Sequence, residues 1–324
     1  RRVCYALNYR KTVMGPVDYR CCRLIFGEAD QFPGLTVDRF ENILVTQVLS
    51  LGMERRKDWV YRALVELLRE DDEQIDAIYE RNDVAIRTLE GLEQGKGFYQ
   101  MEGLKTDLSG HVTITENGIK YDVDYIEGQK TGFFLDQKYN RQAAAKLARG
   151  RRVLDCFTHT GAFALNAAAA GAEHVTAVDV SAFALELAAE NGKRNGLTNL
   201  DYKCADVFDL LTEMAKEKKC DYDYIILDPP AFTKSRATAK NAYHGYKEIN
   251  RKAMRLLPRG GYLATCSCSH FMTDEMFRKM LQEAALDAGV TLRQIEARQQ
   301  APDHPILPEV PETDYLKFYL LQVV

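Results

Sequence analysis

Apolar and polar positions alternate along this chain in two different rhythms. Between about residues 23 and 80, short apolar runs at 35–39, 43–48 and 78–79 read as strands. Apolar residues at helical spacing through Trp59, Leu64 and Leu68 place a helix before the last of these runs. This order of strand, strand, helix and strand predicts a small α+β unit. Phe32-Pro33-Gly34 and Glu41-Asn42 supply turn chemistry, and the stretch from Gly91 to Gly97 marks a linker or loop. Asn117-Gly118 predicts a tight hairpin, because both positions tolerate positive φ.

Beyond Gly150 short apolar strands alternate with amphipathic helices, the pattern of a parallel sheet covered by helices on both faces. Strands are predicted at 153–155, 175–179, 202–204, 224–228 and 261–267, with 291–296 and 316–323 closing the sheet. The expected organisation is a small α+β domain with its linker at 1–115 and a doubly wound α/β domain at 116–324. Four of the predicted strands end on or just before an Asp, Ser or Cys. Ligands of open α/β sheets sit outside the carboxyl ends of the strands, so these residues are placed for chemistry.

Composition narrows the function classes. A chain of 324 residues outgrows one comfortable core, in agreement with two domains. Its 46% hydrophobic and 28% charged residues suit a soluble globular protein, and no run approaches the ~20 apolar residues of a membrane span. The eight cysteines lie scattered, without paired CxxC clips or metal-ligand spacing to His. They argue against a zinc site and a secreted disulfide frame; no metal is expected, and a reducing cytoplasm fits. A net charge of −4 gives no global attraction to polyanions, so nucleic-acid binding must rest on local patches. Arg1-Arg2-Val3 has neither an initiator methionine nor an apolar signal core, so the chain is expected to be trimmed or cut from something longer.

The candidate chemistry gathers at the strand ends. Asp155, Phe157, Thr158 and Gly161 lie on a small-residue loop between a strand and a helix, where a glycine lets a ligand approach the backbone. Asp179 ends the next strand and Asp206 follows the third, so that one carboxylate is available for ribose hydroxyls and one for an adenine amino group. Taken singly, the loop is a plain turn and Asp206 an N-cap; in succession the acids read as a nucleoside clamp. Asp228-Pro229-Pro230-Ala231-Phe232 ends the fourth strand, with the prolines stiffening the chain and Phe232 offering a face for a flat base. Cys266 and Cys268 share a face at the end of the fifth strand, with Cys268 nearer the ligand side. Between Lys234 and Arg255, Lys234, Lys240, Lys247 and four further cations face one acid, Glu248, with Tyr243, His244 and Tyr246 among them. Cations interleaved with aromatics suit contact with RNA phosphates and bases, although a solvated amphipathic helix has the same pattern.

Asp228-Pro229-Pro230-Ala231-Phe232 also resembles the fourth motif of class I S-adenosylmethionine methyltransferases that modify nucleic-acid bases. Further motifs are GEADQFPGLTVDRF at 27–40, IYERNDVAIR at 78–87, GQKTGFFLDQ at 128–137, VLDCFTHTGAF at 153–163, HGYKEIN at 244–250, CSCS at 266–269 and APDHP at 301–305. Together they make most of the chain similar to the bacterial large-subunit ribosomal RNA cytosine-5 methyltransferase I family, which makes 5-methylcytosine in 23S RNA. The resemblance implies a Rossmann-like class I methyltransferase domain, S-adenosylmethionine as cofactor, 23S ribosomal RNA as partner and an N-terminal RNA-binding PUA domain missing from this chain. By resemblance alone, Phe133 and Gln137 become cofactor contacts; Cys268 rather than Cys266 is expected to be the nucleophile because it lies nearer the carboxyl end of the strand, and the resemblance agrees. Asp228 would hold the cytosine edge. A homodimer is left open, as are methylation of a guanine nitrogen and an inactive RNA-binding or assembly role.

Overall fold

The computed structural model describes residues 1–217, 220–233 and 235–324. The chain divides into two compact units, residues 1–138 with 301–313 and residues 139–300 with 314–324. This division differs from the expected boundary at 115/116. A hairpin at 111–124 packs on strands of the first unit, and a late segment returns to the first unit through contacts that no local pattern announces.

The first unit begins with α1 (Arg2–Val13), which buries Val3, Ala6, Leu7 and Arg10. Its sheet has the order β1 (Cys21–Phe26), β2 (Leu35–Phe40), β3 (Ile43–Val48), β4 (Ala77–Asn82) and β5 (Gly95–Phe98). β3 and β4 run parallel, joined through α2 (Leu51–Glu54) and α3 (Lys57–Glu70), and the other neighbours are antiparallel. The helix buries Leu64 and Leu68 as expected but not Trp59. Trp59 is 73% exposed, and the buried stripe is Val60, Tyr61, Leu64, Val65 and Leu68. Tyr61 decides this, because its hydroxyl reaches inward to Thr46 (2.8 Å) and Glu80 (3.0 Å). The stretch from Gly91 to Gly97, expected to be a linker or loop, supplies part of the edge strand β5, which the backbone pairing of β4 recruits together with the ring contact of Phe98 on Tyr79 (4.9 Å). β6 (His111–Glu116) and β7 (Ile119–Asp124) form the expected hairpin, with φ of 53° at Asn117 and 80° at Gly118.

The returning segment is anchored by Asp303, whose carboxylate accepts from the Arg23 amide (2.8 Å) and pairs with His304 (2.9 Å). Arg10 donates to the Asp303 carbonyl at 2.8 Å and grips Asp30 through two nitrogens. These buried ions satisfy one another, which is the condition for placing charge in a core.

The second unit contains α4 (Lys138–Ala145, whose first residue belongs to the first unit), β8 (Arg152–Cys156), α5 (Ala162–Ala169), β9 (His174–Asp179), α6 (Ala182–Arg194), β10 (Leu200–Cys204) and α7 (Val207–Glu217). It continues with β11 (Tyr224–Leu227), α8 (Ala239–Leu256), β12 (Tyr262–Ser267), α9 (Asp274–Ala288), β13 (Leu292–Arg298) and β14 (Lys317–Val323). The strand order is β10-β9-β8-β11-β12-β14-β13. β14 runs antiparallel to both its neighbours, and the other pairs are parallel. This is the expected doubly wound Rossmann-like arrangement, with all seven expected strands present. Leu154, Cys156, Ile225, Leu227 and Leu263 pack under α7, α8 and α9, while Val153, Tyr224, Ile226 and Ala264 pack under α4 and α5. Alternate residues of one strand serve opposite faces, which is why these strands are apolar throughout. Among the described residues, no helix is long and apolar enough to cross a membrane.

Candidate active site

The sheet reverses its winding between β8 and β11, where Asp155 pairs in register with Ile226 and Cys156 with Leu227. The carboxyl ends of strands at such a reversal open a crevice for ligands. Asp155 is fully buried there and accepts a 2.6 Å bond from the Thr158 hydroxyl. Burial pushes its carboxyl up to about 7; the like charges of Asp228 and Asp179 add to the rise, and the Thr158 bond opposes it. Thus Asp155, Asp179 and Asp228, distant in sequence, form one electrostatic group.

The loop from β8 to α5 is strained, with φ of 63° at Phe157, 50° at His159 and 83° at Gly161. Asp179 holds it in place. One of its carboxylate oxygens accepts from the His159 amide (2.9 Å), and the other from the Ser181 amide (3.0 Å). Gly161 has a structural reason beyond its φ: a Cβ there would stand 2.5 Å from Leu165 Cδ1 and 2.9 Å from Ala188 Cβ. The close approach shown at Gly161 is that of Leu165 of α5 and Ala188 of α6. His159 escaped the sequence reading. Burial lowers its imidazole pKa while Asp179 opposes the shift, and the signal available was a histidine inside the loop between Asp155 and Gly161.

Asp206 is exposed and caps α7, accepting from the Asp209 amide at 3.1 Å. Asp228 lies partly buried just past β11, followed by a buried Pro229 and an exposed Pro230. Phe232, expected to present a stacking face, packs inward against Tyr246, Phe208 and Phe157, with ring centroids 4.5, 5.8 and 6.5 Å away. Gly245 permits this, since a Cβ there would come within 3.2 Å of the Phe232 ring.

Lys234 lies outside the described residues. Lys240 is exposed at the start of α8. Lys247 is engaged by Glu283 (3.3 Å) and Asp287 (3.0 Å) of α9, and Lys252 by Glu248 (2.7 Å). The cations of α8 were counted against a single acid because their partners on α9 lie some 35 to 40 residues away in sequence. Phe133 and Gln137 belong to the first unit, where both are buried and Phe133 lies 5.0 Å from the Tyr121 ring.

At the end of β12 the two cysteines part. Cys266 is fully buried with Ala264 and Phe318 under the sheet, whereas Cys268 stands beyond the last strand residue and is partly exposed. Ser267 and Ser269 on either side of it are buried. Among the described residues, no three His, Cys, Asp or Glu side chains are arranged to hold a metal ion.

The chain as a whole is similar to known proteins. The profile of the S-adenosylmethionine-dependent methyltransferases matches residues 98–322. Ribosomal RNA large subunit methyltransferase I of Photobacterium profundum is 46% identical over 303 residues, covering 93% of this chain and 74% of that protein. Its counterpart in Aeromonas hydrophila is 44% identical over 323 residues, covering 98% and 78%. A protein solved in complex with SAH superposes with a TM-score of 0.82 at 23% identity, covering 99% of this chain and 82% of that one; at this identity the likeness concerns the fold. On the extent of these matches, the chain belongs to the ribosomal RNA large subunit methyltransferase I family of S-adenosylmethionine-dependent methyltransferases.

Proposed function

We propose that the chain forms 5-methylcytosine in large-subunit ribosomal RNA, with Cys268 as the nucleophile and Asp228 on the edge of the base. The observation that carries this reading is the split between the cysteines, with Cys266 sealed under the sheet and Cys268 half-open at the carboxyl end of the strand next to β11, which leads into Asp228. The relatives' names supply the RNA: each is a ribosomal RNA large subunit methyltransferase.

S-adenosylmethionine offers donors to its site in the ribose hydroxyls, the adenine amino group and the α-ammonium. Carboxyl groups at the ends of β8 and β9 and after β10 offer acceptors for that set, so Asp155, Asp179 and Asp206 would hold it, beside the Phe157–Gly161 loop. Bound there, the cofactor supplies an electrophilic methyl group. Carbon 5 of cytosine is too poor a nucleophile to take it unaided. Addition of the Cys268 thiolate at carbon 6 turns the ring into an enamine whose carbon 5 attacks, Asp228 holds or protonates nitrogen 3 as charge develops there, and loss of the carbon-5 proton to a base then expels the Cys268 thiolate and restores the ring. RNA carrying 5-fluorocytidine at the target tests this directly, because fluorine cannot leave as the proton does. We expect a covalent adduct on the wild-type chain, and its absence would turn the reading to a guanine nitrogen.

Two further outcomes follow from the placement of charges. Asp179→Ala is expected to weaken S-adenosylmethionine binding by ~1–3 kcal/mol, since it leaves donors without an acceptor and releases the His159 amide. Calorimetry giving an unchanged affinity would remove Asp179 from the site. Lys240→Ala is expected to lower the log–log salt slope of RNA binding by roughly one unit. Lys247→Ala should change it less, because α9 already engages that ammonium, and equal slopes for all three proteins would exclude α8 as a phosphate-binding surface.

A further inference from the structure

One buried cation of the second unit takes no part in the chemistry just described. Lys317 opens β14, pairs in register with Ser267 of β12 and is 4% exposed, ahead of Phe318, Tyr319, Leu320 and Leu321. Its Nζ donates to the carbonyl oxygens of Ser269 (2.7 Å) and Tyr315 (2.8 Å). Ser269 is held a second time through its hydroxyl, which lies 3.0 Å from that of Tyr246. Its carbonyl also accepts from the Met272 amide at 3.1 Å. Cys268 therefore sits between two fixed residues, Ser267 in the sheet and Ser269 under Lys317 and Tyr246.

A lysine in this place is expensive for the fold, since leucine or methionine would fill the space without stripping an ammonium of water. Burial lowers Lys317 to about 8, while the charges of Asp314, Cys268 and Asp274 pull it back up. The Lys317 ammonium thus stands within electrostatic reach of the Cys268 sulfur. Tyr246 of α8, Asp274 of α9 and Asp314 before β14 surround the same pair, and Asp228 follows the adjacent strand β11. The three aspartates are acidic and Tyr246, whose titration burial raises, stays neutral, so Lys317 supplies positive charge where the carboxylates oppose a thiolate.

We propose that Lys317 is the positioning residue of this site, holding the turn that carries Cys268 and, as an ammonium, keeping that cysteine in its thiolate form. The inference rests on the reading of Cys268 as the nucleophile. Its test is the pH dependence of Cys268 alkylation by iodoacetamide, read by mass spectrometry of the Cys268 peptide from the full chain. Wild type is compared with the K317R, K317Q and K317M variants.

We expect the inflection to move up by about one pH unit or more in K317Q and K317M, which makes alkylation at neutral pH about tenfold slower, and to stay in place in K317R. K317Q keeps an N–H donor for the Ser269 carbonyl without the charge, so it carries the test even where K317M fails to fold. An inflection in folded K317Q that coincides with wild type overturns the proposal, as does one in K317R that rises as far as in K317Q. The nucleophile reading fails separately, through a missing 5-fluorocytidine adduct in wild type, and the alkylation profile is measured without RNA.

Discussion

Cys268→Ala is expected to slow methyl transfer by a factor on the order of 10⁴ or more while leaving S-adenosylmethionine affinity within about twofold of wild type. The expected loss is this large because removing the thiol removes the route through the carbon-6 adduct altogether. Affinity is spared because the carboxylates that would hold the cofactor stand on β8, β9 and the turn after β10, away from the turn bearing Cys268. Cys266→Ala is expected to retain substantial activity and to lose about 1 kcal/mol of stability, since its side chain packs under the sheet with Ala264 and Phe318. Single-turnover transfer of labelled methyl to ribosomal RNA measures the first effect, and calorimetry the second. A 5-fluorocytidine adduct that persists in Cys268→Ala and vanishes in Cys266→Ala would exchange the roles of the two cysteines.

The second large effect concerns stability. Asp155→Asn is expected to raise the stability of the chain at pH 8 by about 2–4 kcal/mol and to leave it nearly unchanged at pH 4. The sign follows from proton counting. Burial first, and then Asp228 and Asp179, raise the folded-state carboxyl from its ordinary 3.8 to about 7. Between those values the folded chain holds a proton that the unfolded chain has released. Stability contributed by that proton is complete below about pH 4 and is lost as pH rises through 7. Asparagine carries no such proton, and its amide oxygen still accepts from Thr158. Urea unfolding of both proteins between pH 4 and 8 measures the difference; a difference independent of pH would show that Asp155 is not held neutral by its surroundings. Lower methyl transfer in the more stable variant would mark Asp155 as a residue kept for function at the expense of the fold.

Much of the second unit is legible in its sequence. The strands β8, β9, β11, β12 and β14 carry apolar runs bounded by turn residues, and the acids Asp155 and Asp179 can be placed because each falls at the carboxyl end of such a run. The Asn117-Gly118 hairpin is legible for a local reason too, since only certain residues tolerate its backbone angles. Less legible is anything set by a distant neighbour. The inward turn of Tyr61 rather than Trp59 depends on Thr46 and Glu80, the recruitment of β5 on the free edge of β4, and the inward packing of Phe232 on the absence of a side chain at Gly245.

From its sequence alone, this protein's alternation of strands and helices, the order of acids along the ligand edge and the motifs of its family were determined. These are properties of single segments, and hydrophobic period and turn chemistry record them locally. Only the tertiary structure decided that Lys247 answers to α9 and that Lys317 reaches the carbonyl of Ser269 across 48 residues. Periodicity states which face of an element is apolar; the partner that covers that face, and the buried charge it brings along, is chosen by packing between segments far apart in the chain.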